Sequence, residues 1–169
     1  MQFIAFLLLS ISLGFAKGNF CDFDSDFAEK YMEARSNYAA FLVKKRPEKD
    51  PSEYDYGSKR SRTLGVNWPT VSLKQKIQQL FGTNDVEIKV KPNGKMLIYP
   101  KNVTDGNPVM LFDSSGDYFR ISKSKIKNGE VMDQNSYHDI NGNPLVMPKG
   151  QSDEAWEAYA RQTHFKATP

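Results

Sequence analysis

The hydrophobic period changes at Gly82, and that switch limits the folds open to this chain more than any other feature. Before it, Leu73, Ile77, Leu80 and Phe81 recur at three- and four-residue spacing. This predicts a helix over 71–81, opened by Thr70 as N-cap and closed by Gly82 in a left-handed C-cap. After it, Val86-Glu87-Ile88-Lys89-Val90 alternates apolar with charged residues. Pro92-Asn93-Gly94 supplies a tight turn, and residues 95–99 return as the second strand of a hairpin. Residues 109–112, the turn Asp113-Ser114-Ser115-Gly116, and residues 118–122 repeat the pattern. A meander of four or five antiparallel strands is expected.

A second amphipathic helix is predicted upstream, where Phe27, Tyr31, Ala34, Tyr38, Phe41 and Leu42 form one face and Asp24 or Ser25 can cap it. The expected fold class is therefore α+β, with two N-terminal helices packed on one face of the antiparallel sheet. Alternation would turn Val86, Ile88, Val90, Phe119 and Ile121 toward the helices. It would leave Lys89, Tyr118 and Arg120 on an open face. Residues 123–150 are rich in turn signals, with a short strand expected at 144–147. Ser152 can cap a last helix over 153–161, and Thr163-His164-Phe165 reads as a closing extended segment.

Residues 1–16 are apolar and uncharged and end in Gly14-Phe15-Ala16. They read as a secretory signal cleaved after Ala16, since the run is shorter than the roughly 20 apolar residues that span a bilayer. The expected organisation is a signal at 1–16, a helix and long connection at 17–69, and the helix-plus-sheet domain at 70–169. The product would be a secreted monomer with no membrane association after cleavage. Cys21 is the single cysteine, so no internal disulfide can form. Asn102-Val103-Thr104 is a glycosylation sequon. Lys59-Arg60-Ser61-Arg62 is a basic cluster, read first as solvated loop. An excess of 23 Lys and Arg over 20 Asp and Glu permits an anionic partner such as RNA without requiring one.

Two histidines and one distant cysteine do not make a zinc site, and Asp22-Phe23-Asp24-Ser25-Asp26 lacks the glycine and distal glutamate of a calcium loop. Phosphate-binding loops, dinucleotide fingerprints and serine-hydrolase elbows are missing. No metal or cofactor is expected, which also disfavours zinc-dependent deamination. The surviving chemistry is acid/base catalysis. Cleavage of RNA without a metal needs a base for the 2'-hydroxyl, cations for the phosphorane oxygens and an acid for the departing 5'-oxygen. His164, Arg120, Tyr118 and Thr163 are the candidate catalytic groups, with Lys89 and Lys123 as candidate substrate-binding cations. Each alone has an ordinary structural explanation; their expected convergence on one face carries the reading. His138 is read first as a loop residue.

Tyr118-Phe119-Arg120-Ile121, Asp139-Ile140-Asn141-Gly142-Asn143-Pro144 and Gln162-Thr163-His164-Phe165 together resemble the C-terminal toxin domains of bacterial polymorphic and contact-dependent growth-inhibition proteins, which include ribonucleases of the barnase, EndoU and colicin type of fold. The resemblance covers about residues 70 to 169. It implies metal-independent RNA cleavage, with tRNA as a candidate target, a 2',3'-cyclic phosphate product and a cognate immunity protein as a candidate partner. Arg120, Thr163 and His164 are the positions it carries over. The chain departs from the family in placing the domain directly behind its own signal. Strict alternation would also send Thr163 and His164 to opposite sides of a strand, so both serve one site only across an irregular helix-to-strand junction. The alternative function is non-enzymatic: a secreted effector or inhibitor that binds a protein partner through the open sheet face.

Overall fold

The computed structural model describes residues 24–45, 65–150 and 152–169. The expected signal at 1–16, Cys21, the basic cluster at 59–62 and most of the long connection lie outside the described residues.

Three helices and seven strands follow one another as α1 (Ser25–Lys45), β1 (Thr70–Ser72), α2 (Leu73–Phe81), β2 (Val86–Val90), β3 (Lys95–Pro100), β4 (Pro108–Asp113), β5 (Tyr118–Lys127), β6 (Glu130–Asp133), α3 (Asp153–Thr163) and β7 (Phe165–Thr168). The strands join one sheet in the order β1-β7-β5-β4-β3-β2, with β6 also paired to β5. The α+β class holds, but the sheet is larger than expected and mixed. β1 and β7 pair in parallel, while the meander β2 to β5 is antiparallel.

Several boundaries move for identifiable reasons. Thr70 is not a helix cap: it lies in β1, opposite Lys166, where its β-branched neighbour Val71 suits extended backbone. Ser72 caps α2, its hydroxyl accepting from the Gln75 N–H at 3.4 Å, and Gly82 ends the helix at φ +70°. Asp24 caps α1, accepting from the Phe27 N–H at 2.9 Å. β5 runs five residues beyond Ser122, because the turn at Asn128 and Gly129 (φ 52° and 77°) folds β6 back onto it. No strand forms at 144–147; Pro144 makes only an isolated bridge with His138.

One sheet face follows the alternation closely. Met96, Ile98, Met110, Phe112, Phe119, Ile121, Phe165 and Ala167 bury against Phe27, Tyr31 and Ala34 of α1 and against Leu73 and Ile77 of α2. Phe112 anchors this core, meeting Phe27 and Tyr31 edge-on at 5.8 and 6.1 Å between ring centres. Gly94 in the β2–β3 turn lets α1 cross closely. A Cβ there would lie 2.4 Å from the Tyr38 Cβ, and φ is +78°.

The opposite face is not open. Leu97, Tyr99, Val109 and Leu111 bury one part of it, and Trp68, α3 and Tyr137 cover the part over β5. No helix among the described residues is long and apolar enough to cross a membrane.

Candidate functional site

The covered part of the second face is where the candidate catalytic residues Tyr118, Arg120, Thr163 and His164 gather. β5 projects Tyr118 and Arg120 to the side opposite Phe119 and Ile121, as alternation requires. α3 ends at Thr163, and His164 leaves the helix with extended backbone (φ −117°, ψ 128°) before β7 begins. This junction resolves the parity conflict between Thr163 and His164. The Thr163 hydroxyl lies 2.9 Å from the Tyr159 carbonyl oxygen and 2.9 Å from His164 Nδ1.

That pattern assigns a tautomer. The carbonyl can only accept, so the single hydroxyl proton goes to Tyr159 and Nδ1–H donates to the threonine oxygen. In the neutral imidazole the lone pair therefore sits on Nε2. The ring is held by aromatic contacts: Trp68 at 4.7 Å, Tyr118 at 5.5 Å and Tyr137 at 6.3 Å between centres. Arg120 shares two of these neighbours. Its guanidinium carbon lies 4.3 Å from the Tyr137 ring centre and 5.9 Å from that of Tyr118.

Arg120 is only 7 % exposed, yet its Nε and Nη2 are sealed from solvent without a hydrogen-bond partner. Unsatisfied donors on a buried cation are costly, on the order of 1–3 kcal/mol each. Such a group is unfavourable for stability, and an anion reaches these donors only if the side chains over them move.

Tyr118 has a different part from the catalytic one expected of it. Its hydroxyl donates to Asp113 Oδ2 at 3.0 Å, and burial first, then the Asp113 charge, push its pKa far above the usual phenol value. The phenol stays neutral and committed, so Tyr118 contributes its ring as a platform. Asp113 also braces its own turn, since Oδ1 accepts from the Ser115 N–H and hydroxyl at 3.1 and 2.5 Å.

Neither candidate lysine reaches this place. Lys89, Leu97, Leu111 and Arg120 are successive cross-strand partners, so Lys89 and Arg120 share a row but are separated by three strand spacings, roughly 14 Å. Lys89 pairs instead with Glu130 at 3.5 Å. Lys123 is exposed on the Ile121 side of β5, beside a recess of about 210 Å³ lined also by Leu80 and His138.

His138 is not a solvated loop residue. It is 2 % exposed, bridges Ile121 and Pro144, and has neither ring nitrogen hydrogen-bonded. The neighbouring Asp139-Ile140-Asn141-Gly142-Asn143 segment is a structural turn. The Asp139 carboxylate accepts from the Asn141 and Asn143 N–H groups and from Asn143 Nδ2, all at 2.9 Å. These bonds hold its pKa below the ordinary carboxylate value, with the Asn143 side chain contributing most.

Sequence reasoning missed Trp68, Tyr137 and Asp113 as parts of the site. Trp68 offered only a signal of composition, a lone tryptophan between Asn67 and Pro69 in an otherwise polar connection. Among the described residues no three His, Cys, Asp or Glu side chains gather as metal ligands. The sequence matches no protein-family model and no curated protein, and the fold matches no solved structure.

Proposed function

We propose that this protein is a secreted toxin that cleaves RNA without a metal, by acid/base transesterification at the α3–β7 junction. One observation carries the reading: an imidazole whose Nδ1 is fixed by Thr163 packs on the same two tyrosines as a buried guanidinium with unsatisfied donors. In the reaction the 2'-oxygen bonds to phosphorus as the bond to the 5'-oxygen breaks. His164 Nε2 either takes the 2'-hydroxyl proton as base while water protonates the departing 5'-oxygen, or protonates that oxygen as acid while water takes the 2'-hydroxyl proton. Arg120 binds the scissile phosphate and stabilises the charge that develops on its oxygens. Thr163 sets the tautomer, and Tyr118, Tyr137 and Trp68 orient the two working groups.

The alternative of partner binding through an open sheet face has less support, since Trp68, α3 and Tyr137 lie over that face. The ribonuclease reading, including tRNA as a candidate target and an immunity protein as a candidate partner, is tested by incubating purified protein with total RNA in EDTA. It expects fragments ending in 2',3'-cyclic phosphate. Intact RNA, or fragments with other termini, would overturn it.

A further inference from the structure

We propose that the free edge of β2 docks a second copy of this chain, edge to edge and antiparallel, about a two-fold axis through Ile88. β2 ends the sheet, with β3 as its only strand neighbour among the described residues. Soluble proteins usually blunt such an edge with proline, a bulge or a very short strand. β1, at the other end, is short, with 3 residues. β2 instead runs from Val86 to Val90 in one unbroken register. The phase of its ladder fixes which backbone groups are unused. Lys91 donates its N–H to the Lys95 carbonyl, so the alternation of an antiparallel pair turns the groups of Glu87 and Lys89 toward β3 as well. Val86, Ile88 and Val90 therefore point their N–H and C=O groups outward, where they meet no hydrogen-bond partner among the described residues. Their side chains are only partly buried under the helices, and a recess of about 220 Å³ lies beside Val86 and Ile88.

Charge selects the occupant. Asp85, Glu87, Lys89 and Lys91 alternate with these apolar residues, acidic in the first half of the stretch and basic in the second. A copy reversed about Ile88 sets Glu87 opposite Lys89 of the second copy and Asp85 opposite its Lys91, while Val86 meets Val90 and Ile88 meets Ile88. The pairing closes roughly six backbone hydrogen bonds. Sliding to the next hydrogen-bonding register in either direction would instead place Glu87 on Glu87 or Lys89 on Lys89, and like charges directly opposite are unfavourable. Present partners do not oppose the docking. The Lys89–Glu130 and Lys101–Asp85 pairs are exposed and contribute little, and Tyr99 hydrogen-bonds Glu87 from the β3 side. Lys91 is already held by Asp133 at 2.6 Å, so the contacts between Glu87 and Lys89 carry the specificity. An edge this short buries less than the roughly 1,200 Å² of a stable complex, so the dimer is weak and concentration-dependent.

The test is sedimentation velocity of the full chain over a concentration series, with amide hydrogen exchange read by NMR on the same samples. Wild type is expected to dimerise, and exchange at Val86, Ile88 and Val90 to slow as concentration rises. Glu87→Lys brings ammonium groups face to face across the axis and should weaken the dimer about tenfold. Combining Glu87→Lys with Lys89→Glu swaps the charges, keeps them complementary and should restore wild-type affinity. Glu87 is exposed and Lys89 half-buried in an exposed ion pair, so both variants should keep the wild-type circular dichroism spectrum. Wild type that stays monomeric at every concentration overturns the proposal. So does a dimer that Glu87→Lys leaves at wild-type affinity, one that the charge swap fails to restore, or one that slows exchange elsewhere on the sheet and not at these amides. None of these outcomes bears on the ribonuclease reading, which the edge of β2 does not enter.

Discussion

The face of the sheet under α1 and α2 and the face under Trp68 and α3 are made by the same strands, yet they satisfy opposite demands. On the first, every inward residue of β3, β4 and β5 is apolar, and aromatic edges meet aromatic faces around Phe112. On the second, β5 buries a tyrosine and an arginine, β4 an aspartate, and the covering elements add a tryptophan, a tyrosine and a histidine. The first face maximises apolar burial. The second keeps charged donors unsatisfied where a hydrocarbon side chain would cost nothing, the pattern expected when stability is given up for a binding site.

The largest effect that can break this comparison is at Phe112. Phe112→Ala should lower unfolding stability by about 3–5 kcal/mol, measured by urea denaturation. A loss under about 1 kcal/mol would mean that the dry face is not the main source of stability. On the other face the sign should reverse. Arg120→Met should raise stability by about 1 kcal/mol in the same assay, because it removes a buried cation and leaves the tyrosine stack to pack on hydrocarbon. Destabilisation of that size would show that the guanidinium is a structural member of the core.

A smaller effect separates the turn from the site. Asp139→Asn should cost about half a kcal/mol near neutral pH, since its carboxylate is partly exposed and screened. Because the folded pKa is depressed, the charged form contributes fully above the ordinary carboxylate pKa, and the contribution is lost as pH falls through the folded value. The thermal melting curves of Asp139→Asn and wild type should therefore converge in acid. Smallest of all, Lys89→Ala should change stability by less than about 0.5 kcal/mol, since its ion pair with Glu130 is exposed.

Alternation made the dry face legible. The parity of Phe119 and Ile121 against Tyr118 and Arg120 follows from period two alone, and the structure keeps it. Parity gives the side of a sheet, however, and not the distance across it. Lys89 and Arg120 share a row and still stand three strands apart. The β1–β7 pairing joins segments almost a hundred residues apart, Thr70 with Lys166, so no local pattern announces it. The three residues of β1 instead looked like the start of α2. β6 escaped because Glu130-Val131-Met132-Asp133 is too short and polar to alternate clearly, and its pairing depends on the turn at Asn128 and Gly129. The Thr163–His164 contact was invisible for the opposite reason: it needs a helix to end between two adjacent residues, and boundaries of that kind are set by capping geometry.

The central claim is that the imidazole at the end of α3 and the guanidinium on β5 work as one site. Its most direct test is the rate of RNA cleavage in EDTA by wild type, His164→Ala and Arg120→Ala, each shown by circular dichroism to be folded. The account predicts that each substitution lowers turnover on the order of a hundredfold or more. Cleavage by both variants at the wild-type rate would contradict it.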